Sequence, residues 1–340
     1  MTRSLTLPAA FAALALTPNL GLAGAGHDVR LSEEPRPSVS VEVPALYPEG
    51  IEANPTNGNF LLGSIRQGAV YEVSPEGEIR KLIEDPRLKS VVGIRVDPAR
   101  GRLLVNSSDY GVAERSRPED KFASVALGIY DLKSGTPLHF VELSQLRPGE
   151  KKFANDLTLD AAGNAYVTDS LAAAIYKVTP EGGASVFLAD DRFRGEGFNL
   201  NGIVTHPDGY LLVAKKSEGL LFKVPLDDPE AFSEVRLPRR FVGTDGLVLA
   251  KPEELVVITN QASGIASNTV FTLKSDDGWA SAAITGSLAT GDVYATTGVV
   301  SKGRLFVSYG RLNTLPASLK SPESAPLLQR FEIREIGKVH

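Results

Sequence analysis

Glu49, Asn155, Asn201 and Asp245 occupy the same place in a sequence unit that recurs along the chain. Each opens a copy of the unit, directly before a repeated glycine or, in the third copy, before Asp156; the matching residues of the other two copies are Val92 and Thr297. Four of the six therefore carry side-chain oxygens. Two carboxylates turned toward one point repel unless a proton or a positive charge stands between them, and amides can add neutral carbonyl oxygens to the cluster. Oxygen-only ligation by carboxylates and amides suits Ca²⁺, with water in the remaining positions and Mg²⁺ or Mn²⁺ as alternatives. Thiolate or imidazole-rich ligation is excluded, because the chain has no cysteine and only four scattered histidines, His27, His139, His206 and His340. Singly, each Asn or Asp has a plainer use, hydrogen-bonding backbone amides where a strand begins. As an aligned set on one rim, Glu49, Asn155, Asn201 and Asp245 are the expected metal ligands.

For such residues to meet, the elements carrying them must converge. The unit reads EGIEANPTNGNFLLGSIRQGAVYEVSPEGEIRKL over Glu49–Leu82: an opening strand, a Pro/Gly turn, two further apolar strands and a polar turn. Further copies open at residues 92, 155, 201, 245 and 297, 43 to 63 residues apart, which is room for four short strands. Period-two alternation is plain in Ala69–Val73 and Ile175–Val178. Six such units predict an all-β, six-bladed β-propeller, since radial stacking buries both faces of each sheet and closure removes long edges. Two packed sheets would give no reason for six copies of one motif. The alternating segment Ser38–Val43 is expected to pair into the last blade and fasten the ring.

In a propeller the first strand of each blade lines the axis, so the four ligands share one rim. The second strand returns to that rim, and loops after it should surround a pocket. Arg66, Asn106, Asp169, Lys215, Asn260 and Tyr309 lie there and are the candidates for substrate contact. The connection Ser107–Leu127 is unusually long and reads equally as a lid or as an excursion.

Composition narrows the function. The chain has 340 residues, 42% apolar, with a net charge of −5 and no cluster of Lys and Arg, which argues against nucleic acid as a partner. Residues 1–25 read as a cleaved leader: Arg3, an apolar run, then Ala23-Gly24-Ala25. No second long apolar run follows, so the expectation is an exported protein, periplasmic or extracellular, with residues 26–340 as one propeller and no stable membrane insertion. There is no HExxH, G-x-S-x-G, phosphate-binding loop or dinucleotide fingerprint, which excludes serine-triad and nicotinamide chemistry. A small-molecule substrate is implied, and no obligate protein partner is evident.

The openings Pro48-Glu49-Gly50-Ile51, Asn155-Asp156-Leu157-Thr158, Asn201-Gly202-Ile203 and Thr244-Asp245-Gly246-Leu247, with the phrase LTLDAAGNAYVTDS, resemble the SMP-30/gluconolactonase/LRE-like superfamily over about residues 45–310. The resemblance implies a six-bladed propeller whose divalent cation, usually Ca²⁺, is held by Glu49, Asn155, Asn201 and Asp245. It also implies Asp245 as the catalytic nucleophile or base. The pocket histidine of the phosphotriesterase branch has no counterpart, because no histidine lies between His206 and His340. The leading expectation is a metal-dependent hydrolase, most simply a lactonase; the alternative is a non-catalytic exported propeller that binds a small molecule or a protein.

Overall fold

The computed structural model describes residues 29–32, 38–262 and 264–339. The expected leader lies outside the described residues. Among them, no helix is long and apolar enough to cross a membrane.

Six antiparallel sheets follow one another along the chain. Their first strands are Pro48–Ala53, Ser90–Asp97, Ala154–Leu159, Leu200–His206, Thr244–Lys251 and Ala295–Ser301. These are the six openings of the sequence repeat. Each packs on the first strand of the next sheet, and the sixth returns to the first, so the sheets are blades closed around an axis. The architecture is a six-bladed β-propeller.

Burial falls outward within a blade. The second strand of blade one, Phe60–Ser64, is buried throughout, whereas its fourth strand, Ile79–Glu84, is largely exposed. The apolar core is accordingly not central but divided among the blade interfaces. Leu61, Val70 and Ile83 of blade one pack on Ile94, Leu103 and Tyr130 of blade two. Leu127 and Ile129 of blade two meet Leu157 and Tyr176 of blade three in the next such layer. Comparable layers follow at the remaining interfaces. This is how sheets apolar on both faces bury themselves without a helix.

Ring closure uses the N-terminal segment. Blade six takes Ala295–Ser301, Arg304–Tyr309 and Phe331–Lys338 from the end of the chain, and Ser38–Val41 pairs antiparallel to Phe331–Lys338 on its outer side. The closing strand starts where the alternation predicts and stops two residues earlier, at Val41. Arg30–Leu31 pairs with the other end of the same strand. Blade six also departs from the repeat between Tyr309 and Phe331, where its second-to-third connection carries a short helix, Leu315–Lys320.

At the axis the first strands crowd one another. A Cβ added to Gly50 would lie 2.5 Å from the Val92 carbonyl oxygen and 2.9 Å from the Ile94 nitrogen, both backbone atoms of blade two. The repeated glycine is thus set by the approach of adjacent blades. Gly50→Ala should lower the unfolding free energy by about 1–3 kcal/mol, the range for overpacking a tight site; an earlier urea midpoint at unchanged slope is the expected reading.

Candidate functional site

Every first strand is irregular at the same place. Pairing with the second strand shifts register between Pro48 and Ile51, Val91 and Ile94, Ala154 and Leu157, Leu200 and Ile203, Thr244 and Gly246, and Ala295 and Gly298. These gaps contain Glu49, Asn155, Asn201 and Asp245. A bulge of this kind turns a side chain out of the sheet's alternation, here toward the axis. It also takes carbonyls off their own ladder, and side chains of neighbouring blades collect them. Asn106 donates to the Asn155 carbonyl (3.1 Å), Thr168 to that of Asn201 (2.8 Å), and Thr296 to that of Glu49 (2.7 Å).

The four residues close around one cavity of about 440 Å³. Its floor is Glu49, Asn155, Asn201 and Asp245, joined by Lys216; Tyr110, Phe153, Phe198 and Tyr294 supply aromatic wall. Asp245 is the most engaged group. Its Oδ1 accepts from Asn201 Nδ2 at 2.6 Å and from the Lys216 ammonium at 2.7 Å, and its Oδ2 accepts from Asn260 Nδ2. Lys216 also donates to Asn260 Oδ1 at 2.7 Å. Burial works against the charge on Lys216, but Asp245, Tyr294 and Glu49 overrule it and hold the ammonium above the ordinary lysine range. Glu49 has no comparable partner. Burial first, and then Asp245 and Asp156, push its carboxyl well above the usual range, while Lys216 pulls it back.

Asn155 is oriented by a relay. Ser170 donates its only hydroxyl proton to the Leu200 carbonyl (2.5 Å), so it must accept from Asn155 Nδ2 (2.9 Å). The amide oxygen of Asn155 is consequently the free end, buried and without a hydrogen-bond partner.

Asp156, beside the column, is a structural group. Its carboxylate accepts from the Leu157 amide at 2.8 Å and the Ile203 amide at 3.4 Å, donors near the bulges. Burial raises its pKa to about 6, against the pull of Arg95. Arg95 itself meets Glu52 at 2.7 Å, one layer along the axis from the cavity floor.

None of the six expected contact residues belongs to the cavity lining. Arg66 clamps the blade-two loop through the Val112 carbonyl, 2.7 Å away. Asn106 holds the Asn155 backbone, as above. Asp169 organises its own turn, accepting from the amides of Phe153, Leu171 and Ala172 and from the Tyr176 hydroxyl. Lys215 turns away to the carbonyls of Arg192 and Arg194 and to Glu218. Tyr309 is packed in a blade-interface layer under Arg334. Of the six, Asn260 alone bonds side chains of the floor, those of Asp245 and Lys216. The segments after the second strands do surround the cavity, but neighbouring residues contribute: Ile65, just before Arg66, and Tyr110, Lys216, Gln261 and Leu312 further along. His206 is structural, with Nδ1 accepting from the Asp208 amide, Nε2 bonded to the Pro252 carbonyl and the ring stacked on Tyr210.

The Ser107–Leu127 connection is pinned to blade one rather than laid across the mouth. Lys89 bonds Asp120 at 2.7 Å and the Arg115 carbonyl at 3.0 Å, and Arg115 reaches the Gln67 carbonyl. Of this loop, Tyr110 alone lines the cavity, and the blade-six insertion adds Leu312, Asn313 and Pro316. That insertion was readable only as the long gap between the strand RLFVSY and the end of the chain.

The calcium ion expected from the sequence does not fit the donor set as it stands. Both Asp245 oxygens are engaged, one of them by an ammonium, so a second cation there would meet a like charge. Among the described residues, no three His, Cys, Asp or Glu side chains form a group that could hold a metal ion. The expected set has only two carboxylates, so the weightier observation is Lys216.

No family model matches the sequence, and no curated protein matches it. Solved structures do. The allergen Mala s 1 of Malassezia sympodialis superposes with a TM-score of 0.69 at 16% identity, over 88% of this chain and 96% of that one. Regucalcin of Agrobacterium tumefaciens, described as a calcium-binding protein, gives 0.58 at 19% identity over 88% and 93%. A luciferin-regenerating enzyme gives 0.59 at 13% identity over 89% and 98%. At these identities the likeness is one of fold alone, the β-propeller already described.

Proposed function

We propose that this chain is a hydrolase acting on a small lactone or related ester in the axial cavity. The observation that carries the reading is the floor itself: a buried Lys216–Asp245 pair beside a second buried carboxyl, Glu49, that has no cationic partner of its own. Such an arrangement is costly for stability and belongs to clefts where charge is to be handled. An ammonium has three N–H donors, and Asp245 and Asn260 engage two at Lys216. The third lies toward the Tyr294 hydroxyl; passed to a substrate carbonyl oxygen in its place, it would stabilise the negative charge that develops there when water adds. Glu49 would take the proton of that water and return it to the leaving oxygen. Asp245 would hold Lys216 charged and oriented, a role different from the nucleophile that the sequence resemblance implies. The aromatic wall would exclude bulk water and favour a ring-sized, amphiphilic substrate.

A calcium-dependent form of the same hydrolysis is the second reading. It is favoured by the buried, partnerless amide oxygen of Asn155, beside Glu49 in the cavity lining. Mg²⁺ or Mn²⁺ would take the same oxygens.

A lactone panel assayed with residues 26–340, in EDTA and in Ca²⁺, separates these readings. Glu49→Gln is expected to lower kcat by about a hundredfold or more, the usual contribution of a positioned acid–base group. Activity that persists in EDTA supports Lys216 as the electrophile; activity abolished by EDTA and restored by Ca²⁺ supports the second reading. No turnover of any lactone or ester with either addition would leave a binding propeller.

We also propose export with removal of residues 1–25. Expression of the full chain in a bacterial host should yield a periplasmic or secreted protein whose first residue, by N-terminal sequencing, follows Ala25. A cytoplasmic product that retains Met1–Ala25 would contradict this.

A further inference from the structure

Among the described residues, Lys216 is the one basic side chain in the cavity lining, and it stands among four residues whose spacing reads as a metal site. It reaches Asp245 Oδ1 at 2.7 Å and Asn260 Oδ1 at 2.7 Å, both groups being buried. The acceptors around it match those of a hard cation: the Asp245 carboxylate, the Glu49 carboxyl and the outward amide oxygen of Asn155, fixed by Ser170 and left without a donor. A divalent ion placed against Asp245 would have to share that carboxylate with the ammonium, inside a protein wall where like charges are poorly screened.

We infer that Lys216 is the resident cation of this site, holding with its ammonium the position a divalent metal would occupy against Asp245, and that this side chain is what keeps the site closed to calcium. Its placement follows from strand geometry. Lys215 ends the strand Tyr210–Lys215 and turns outward to Glu218 and two backbone carbonyls, and its successor faces the axis. Asp245 in turn is held by Asn201, Lys216 and Asn260 from three separate segments, which fixes the pair rather than leaving Lys216 free to swing aside.

The inference concerns occupancy of the site, not turnover, so it stands or falls separately from the metal-free hydrolase reading and is opposed to the calcium-dependent one. The test is calcium titration of residues 26–340 by calorimetry, with terbium luminescence as a second probe. The wild-type chain should show no saturable calcium binding at millimolar concentration and no calcium-dependent shift in thermal unfolding. Lys216→Gln should acquire one site, at least about a hundredfold tighter than any wild-type binding. That site should disappear again in the Lys216→Gln, Asp245→Asn double variant. A folded Lys216→Gln protein that gains no calcium site would overturn the inference. So would a wild-type site that binds calcium stoichiometrically and is lost in Asp245→Asn. Should Lys216→Gln fail to fold without metal, recovery of its near-ultraviolet dichroism by calcium supports the inference. If calcium does not recover it, the wild-type titration decides in the same two senses.

Discussion

Six first strands meet around one axis so closely that glycine stands at the contact in five of them, with Asp156 in its place in blade three, and this crowding organises most of the molecule. At Gly50 the obstacle is the backbone of the next blade; at Gly202 it is the Asp245 carbonyl, 2.8 Å from where a Cβ would stand. A strand held that tightly cannot keep a regular ladder to its own blade, and each one bulges there. The bulge has two effects at once. It points the residue before the glycine at the axis, and it strips carbonyls of their ladder partners. Buried carbonyls without donors are costly, so side chains of neighbouring blades, Asn106, Thr168 and Thr296 among them, bond to them. The site therefore rests on the same contacts that hold blade to blade.

Electrostatics decides what the converging residues can do. Glu49, Asp245 and Asp156 are brought together in a buried region where their repulsion is poorly screened. Three different devices relieve it. Asp156 is shared between backbone amides and the influence of Arg95. Asp245 takes an ammonium and two side-chain amides. Glu49 receives neither, and its proton is held more tightly instead. One cation, Lys216, beside the two floor carboxyl groups, Glu49 and Asp245, leaves the floor acceptor-rich, which is the chemical character any ligand of this cavity has to meet.

The repeat made the fold legible from sequence, because its period, turns and alternation all follow from the geometry of a four-stranded blade. That Glu49, Asn155, Asn201 and Asp245 converge was legible for the same reason, since the glycine after each, or Asp156, marks where blades touch. What surrounds the column was not, and the cause is the period of a strand. Neighbouring residues face opposite ways, so an uncertainty of one position exchanges cavity for interface. Lys215 and Lys216 show this most clearly: identical buried residues side by side, one bonded to Glu218 and the carbonyls of Arg192 and Arg194, the other to Asp245 on the axis. Asn260 lies behind Asp245, and the next residue, Gln261, faces the cavity. Tyr309 packs inside a blade interface, while Leu312 beyond it reaches the mouth. The blade-six insertion has no counterpart in other copies, so no internal comparison could place it.

Ring closure and site geometry are coupled through blade six. Thr296 of that blade bonds the Glu49 carbonyl, and Gly310 approaches the Pro48 carbonyl so closely that an added Cβ would stand 2.3 Å from it. Glu49 is thus positioned by the last blade as much as by its own. That blade is completed by Ser38–Val41, pairing on Phe331–Lys338 from the opposite end of the chain. A closing strand from the N-terminal side brings the two ends together before the sixth sheet is whole. The backbone that carries Glu49 bonds the first strand of the blade that this closure completes. Long-range closure is the slowest kind of contact to make, because the loop entropy must be overcome first. The order implied is that blades two to five can pack by local contacts while the Glu49 side of the cavity floor assembles last.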